Sequence, residues 1–199
     1  PASGKFTPRQ KDIYTIVATA NNMAIDMIRP GITYKEVHLE ASRLIVQGLV
    51  NLGLMKGDVD QAVAEGAHAL FMPHGLGHQM GLDVHDMEDL GEDFVGYSDV
   101  FVRSSQFGLK SLRMGKELKT GHVITVEPGC YFIPALIEKW KKDKINTQFI
   151  NFDKLEEYYT FGGIRLEDDI LVTDHKCRLL GSKRLPITVE DVEREMSSS

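Results

Sequence analysis

Cysteine is scarce in this sequence: Cys130 and Cys177 are the only two among 199 residues. Two isolated thiols cannot build a disulfide framework, and in an acidic chain they point to a reduced, intracellular setting; a single bridge between them is the one alternative. No apolar run approaches the roughly 20 residues needed to cross a bilayer, and no signal-peptide pattern opens the chain. A membrane partner is therefore not expected, and a cytoplasmic location is. Positive charge is also in short supply, with 23 Lys and Arg against 29 Asp and Glu, a formal net charge of −6. No basic stripe offsets it, which argues against a nucleic-acid partner. Lys139, Lys141, Lys142 and Lys144 cluster, but Glu138 and Asp143 interrupt them, as on a solvated helix face. The chain begins at Pro1 rather than methionine, and residues 197–199, all serine, read as a flexible tail.

An apolar fraction of 42% and a charged fraction of 26% are those of a globular protein, and the length suits one domain or a large piece of a bigger one. Thr7-Pro8 is a helix start, and Ile13, Ile16, Val17, Ala20, Met23, Ala24 and Met27 recur at helical spacing up to Pro30-Gly31. Thr33 and Glu36 form a capping-box pattern for a second helix burying Val37, Ala41, Leu44, Ile45, Leu49 and Leu52. A third helix is expected over about 59–70. Beyond Phe71 the pattern shifts to short apolar runs, 123–126, 164–171 and 177–180, which read as strands. A helical segment from Pro134 to about Lys142 lies among them, and Thr188 caps a last helix through Met196. Helices first and strands later, with little alternation, favour an α+β fold for residues 1–196.

The chemistry-bearing residues fall in three short segments. His74, His78 and His85 stand within a dozen residues, separated by Gly75, Gly77 and Gly81. Those glycines make a turn or strand the better reading than a helix, and they let backbone approach a ligand or another strand closely. Glu127 closes an apolar strand just before Pro128, and Glu167 is expected inside another strand. A carboxylate on such a strand is costly to bury unless paired or bound to a cation, although an edge strand could turn either one to solvent. Imidazole with carboxylates suits hard or borderline divalent ions.

Together, FMPHGLGHQMGLDVHD, ITVEPGCYF and GGIRLEDDILVT resemble the catalytic domain of the pita-bread metallopeptidases. That family includes prolidases, aminopeptidase P, creatinase and methionine aminopeptidases. Ser111-Leu-Arg113 and the long helical insertion from Pro134 to Tyr159 look most similar to the prolidases, the Xaa-Pro dipeptidases. The resemblance implies a catalytic site of two divalent ions, Mn²⁺ foremost with Co²⁺ or Zn²⁺ as alternatives, bridged by a water. By that likeness His78, Glu127 and Glu167 are metal ligands, and Glu127 doubles as general base. His85 assists at the scissile amide, and His74 lines the substrate pocket. Arg113 resembles the arginine that pairs with the substrate's terminal carboxylate, a group its planar fork fits. Arg165 shares a strand face with Glu167, where it could meet substrate or carboxylate, or form an ordinary ion pair. The substrate implied is a dipeptide with C-terminal proline, and the assembly a homodimer.

The sequence also departs from the family. Two aspartate ligands expected on an earlier strand pair are missing; Asp12 and Asp26 both fall in the first predicted helix. The chain is thus expected to be the C-terminal part of a longer polypeptide, truncated in the first half of its pseudo-symmetric fold. Unpaired sheet edges would then favour dimerisation. By itself it should show little or no dipeptidase activity. Aminopeptidase P-type cleavage of longer Xaa-Pro peptides, or a non-catalytic protein-binding module, are the alternatives.

Overall fold

The computed structural model describes residues 1–197. Two helices form the base. α1 (Pro8–Met27) begins as expected, with Thr7 closing a capping box on Gln10 and Pro8 in the first turn. α2 (Tyr34–Asn51) opens on the reciprocal Thr33–Glu36 box. The two pack along one another through Ile13, Val17, Ala20 and Ala24 of the first and Val37, Ala41, Ile45 and Leu49 of the second, all buried. The buried stripe of α1 is set slightly off the apolar one. Met23 is 41% exposed, while Asn21 is buried and donates to Asp168 Oδ2 at 2.6 Å.

α3 is shorter than the sequence suggests. It spans Val59–Ala64 and stops before Gly66, whose left-handed backbone (φ 79°) ends the helix and starts a separate 3₁₀ turn over Ala67–Leu70. Residues 71–122 are mostly irregular, relieved by 3₁₀ turns at Glu88–Leu90 and Leu109–Ser111 and by α4 (Glu92–Val95). This stretch exposes Leu82, Val84, Leu90, Phe94, Val100 and Val102.

The strands follow: β1 (Val123–Val126), β2 (Gly129–Phe132), β3 (Gly162–Arg165), β4 (Asp168–Val172) and β5 (Cys177–Leu179). Between β2 and β3 lie α5 (Pro134–Asp143) and α6 (Phe152–Leu155). On α5, Lys139 pairs with Asp143 and Lys141 with Glu156, while Lys142 is exposed. One sheet has the order β1-β4-β5 and a second pairs β2 with β3, all antiparallel.

The expected strand over 164–171 is thus two strands broken at Leu166-Glu167, and Glu167 lies in the gap. The break faces Glu127-Pro128 between β1 and β2, where proline has no N–H to give a ladder. Register is unchanged across it. Val126 opposes Asp168 on one side and Gly129 opposes Arg165 on the other, so Glu127 and Glu167 stand opposite each other where the ladder opens. Ser197 is not in a loose tail. It is the last residue of α7 (Val189–Ser197), and its hydroxyl donates to the Glu193 carbonyl. The rest of the expected tail, residues 198–199, lies outside the described residues. Cys130 is buried, Cys177 half-buried, and both are free. No helix among the described residues is long and apolar enough to cross a membrane.

Candidate active site

The site is built on β1 and on the irregular segment beside it. Residues 76–80 run along the free edge of β1: Glu127 N–H donates to the Leu76 carbonyl at 2.7 Å, Thr125 N–H to that of His78 at 3.0 Å, and Met80 N–H to that of Val123 at 2.9 Å. Gly77 permits this approach. A Cβ there would lie 2.3 Å from the Thr125 carbonyl oxygen and 2.6 Å from both the Thr125 and Tyr34 hydroxyls. Tyr34, wholly buried on α2, holds the other side of that carbonyl with a 2.5 Å hydrogen bond. Gly77→Ala is expected to cost about 2–3 kcal/mol, typical of forcing a methyl into packed surroundings, and urea melts would measure it. Unchanged stability would mean that this strand pairing is looser than described.

His74, His78, His85, Arg113, Glu127, Arg165 and Glu167 all line one cavity of about 660 Å³. Their relations within it differ. His78 and Glu127 are buried and adjacent, with Nε2 3.3 Å from Oε1. His78 Nδ1 lies 3.0 Å from the Gln79 carbonyl, which can only accept, so the proton belongs on Nδ1. In the neutral ring Nε2 then turns a lone pair toward a carboxylate oxygen. Two electron pairs at that distance call for a shared cation, a proton or a metal ion. Thr125 organises the pair: its hydroxyl accepts from the His78 N–H at 3.0 Å and donates to Glu127 Oε1 at 3.0 Å.

Glu167 stands apart, its side chain 43% exposed. Burial and then the facing Glu127 carboxylate raise its pKa above the usual carboxylate value. Arg165 lies between the two glutamates, donating to Glu127 Oε2 at 3.0 Å and 3.8 Å from Glu167 Oε2. Among the described residues no three histidine, cysteine or carboxylate side chains converge closely enough to hold an ion. The geometry supplies a close donor pair and a flanking carboxylate, and Asp12 and Asp26 remain on the exposed face of α1.

His85 packs edge-on to His78 with ring centroids 4.3 Å apart, its Nδ1 3.8 Å from Glu88. His74 Nδ1 meets the Gly75 carbonyl at 2.7 Å, leaving Nε2 buried without a hydrogen-bond partner. Burial lowers its pKa, against which the Gly75 carbonyl and then Glu127 pull upward. Arg113, expected to meet a substrate carboxylate, donates through Nη1 to both Glu88 and Glu92. Thr125 was legible in principle: two residues before Glu127 on a strand, it must share that face. Arg103, Glu88 and Glu92 carry no such signal, since they lie in an irregular stretch without periodicity.

Residues 2–174 match the model of metallopeptidase family M24. The chain belongs to that family. This M24 chain is 39% identical to the Xaa-Pro dipeptidase of Homo sapiens over 197 residues, covering 99% of itself and 38% of that protein. It is 38% identical to a probable Xaa-Pro aminopeptidase of Botryotinia fuckeliana, covering 97% of itself and 39% of that protein. Among solved structures it superposes on a zinc-substituted Escherichia coli aminopeptidase P in complex with product. The TM-score is 0.70 at 35% identity, over 98% of this chain and 36% of that one. The M24 chain therefore has the expected mixed helix and sheet architecture of a pita-bread domain, and spans little more than a third of the length of these relatives.

Proposed function

We propose that the protein to which this M24 chain contributes hydrolyses the bond between an amino acid and a following proline, using divalent metal ions. The observation that carries the reading is the buried His78–Glu127 pair, whose lone pairs face each other at 3.3 Å with Glu167 across the broken ladder. Imidazole nitrogen and carboxylate oxygen are donors that fit Mn²⁺, Co²⁺ or Zn²⁺, and the proposed holders are His78, Glu127 and Glu167. Two such ions supply an activated water and a polarised carbonyl. The remaining work falls to the protein. Glu127 Oε2, steadied by Arg165, accepts the proton from the attacking water. His85, on the exposed side of His78, donates to the scissile amide, and half-buried His74 shapes the pocket for the acyl side. A homodimer and a cytoplasmic location belong to the same proposal.

The family's expected aspartates have no counterpart in these residues, so the chain by itself should be nearly inactive. The test is made on the full-length protein. Stripping with a chelator should abolish cleavage of Gly-Pro-containing peptides, and Mn²⁺ should restore it, while matched Gly-Ala peptides stay intact. Equal cleavage of both series, or cleavage that survives metal removal, would sink the proposal. No cleavage under any condition would favour the binding-module alternative.

A further inference from the structure

The side chain of Glu167 does little to place itself. It is half exposed, and Arg165 Nε lies 3.8 Å from its Oε2, beyond hydrogen-bond reach. The ladder also opens at Glu167, so its placement falls to the residues on either side. On one side the Leu166 N–H reaches the Pro128 carbonyl at 3.3 Å. On the other, Asp168 pairs with Val126, and its side chain turns away from the cavity toward α1. Two elements grip it there. Asn21 Nδ2 donates to Oδ2 at 2.6 Å. Arg184 donates to Oδ2 through Nη2 at 2.6 Å and to Oδ1 through Nε at 3.4 Å, while its Nη1 donates to Asn22 Oδ1 at 2.7 Å.

This grip is costly for a fold to keep. The side chains of Asp168 and Arg184 are only 16% and 26% exposed, and wholly buried Asn21 leaves its own Oδ1 without a partner. A desolvated pair of this kind gains little net stability, so what it fixes is geometry. Arg184 belongs to the irregular run between β5 and α7. Beyond it, Glu193 of α7 accepts from the Phe6 N–H at 2.9 Å and meets Lys11 Nζ at 3.0 Å. The C-terminal segment is thus fastened across α1, and Arg184 is the point where it reaches β4.

We propose that Arg184 is a positioning residue for metal binding, an inference that rests on the metal reading above. By holding Asp168 against α1, it sets the backbone from which Glu167 projects into the cavity. Its planar fork spans both Asp168 oxygens while a third nitrogen takes Asn22, a set of contacts that one ammonium cannot make. Neither Asp168 nor Arg184 lines the cavity, so both act through Glu167, as outer partners of ligating carboxylates do.

The test measures Mn²⁺ affinity of the full-length protein by equilibrium dialysis, with thermal melts to verify folding. R184Q should weaken binding by about tenfold or more, the range for losing an outer partner of a ligand. R184K, which restores the charge but not the fork, should weaken it by about threefold. E167Q should weaken binding by itself, and adding R184Q should then cost less than about a further twofold, because the carboxylate that Arg184 places is already gone. A merely structural ion pair would lower Tm and leave the affinity of folded R184Q unchanged; that result overturns the inference. So does a tenfold loss that persists undiminished in the E167Q background. If R184Q does not fold, R184K decides, and wild-type affinity in it overturns the inference. A wild type that binds none of Mn²⁺, Co²⁺ or Zn²⁺ overturns the metal reading and this inference together, whereas unchanged affinity in R184Q leaves the metal reading standing.

Discussion

Replacing Glu127 by glutamine in the full-length protein is expected to lower turnover of Gly-Pro peptides by about three orders of magnitude, the middle of the range for removing a general base. The two residues are nearly isosteric, so the loss reflects charge and lone pairs more than shape. Glu127 is only 8% exposed, and each of its oxygens has a donor: the Thr125 hydroxyl at one, Arg165 at the other. An amide satisfies only one of them, because its NH₂ end confronts a second donor. If the NH₂ turns toward Thr125, it can also donate to His78 Nε2. That neutral hydrogen bond removes the clash of lone pairs which calls for a cation. The variant should therefore hold less metal as well, by tenfold or more in affinity, measurable by equilibrium dialysis with Mn²⁺. Turnover within tenfold of the wild type would remove Glu127 from both roles. Full metal content with lost turnover would leave it the base but not a ligand.

The sequence exposes what is local and periodic. Both long helices were readable because Thr7-Pro8 and Thr33-x-x-Glu36 are chemical start signals, and the apolar spacing then carries each helix through its length. The three site segments were readable because histidine and glutamate on short apolar runs are costly without a partner. Two kinds of feature were not. The break of the strand at Leu166-Glu167 depends on Pro128 lying opposite, a fact about pairing that no single segment contains. The capture of Arg113 by Glu88 and Glu92 depends on an irregular loop of 21–25 residues' separation folding back. Nothing in spacing or composition encodes that return. The burial of His38 belongs to the same class. It lies one position along from Val37, at the edge of the apolar stripe of α2, where its ring meets His68 of the 3₁₀ turn at Ala67–Leu70.

Acidification from pH 7 to pH 5 should cost the fold about 4 kcal/mol through His38 and His68 alone, a large share of the roughly 5–15 kcal/mol that a domain typically has. Both rings are wholly buried, 6.0 Å apart between centroids, and none of their nitrogens has a hydrogen bond of good geometry. Burial, with help from His68 and His74, drives the pKa of His38 down to about 3. Burial drives His68 down to about 4, against an opposing pull from the Val63 carbonyl. Both folded values lie below the ordinary 6.5, so between those limits the unfolded chain binds more protons than the folded one. Stability is therefore full above about pH 6.5 and falls as pH drops, by up to about 1.4 kcal/mol per pH unit for each ring. His74, lowered in the same direction, adds to the trend. Glu167 opposes it weakly, since its raised pKa favours the folded state in acid. Glu36, lowered by its capping bonds to Thr33, contributes only at still lower pH. Urea melts at pH 7, 6 and 5 would measure the slope, and His38→Leu with His68→Leu should flatten it. Because the nitrogens they remove have no hydrogen bond of good geometry, these substitutions should leave stability at pH 7 unchanged or higher. A wild-type midpoint that stays level from pH 7 to 5, or a double variant with the same slope, would mean these rings reach water or a partner when they charge.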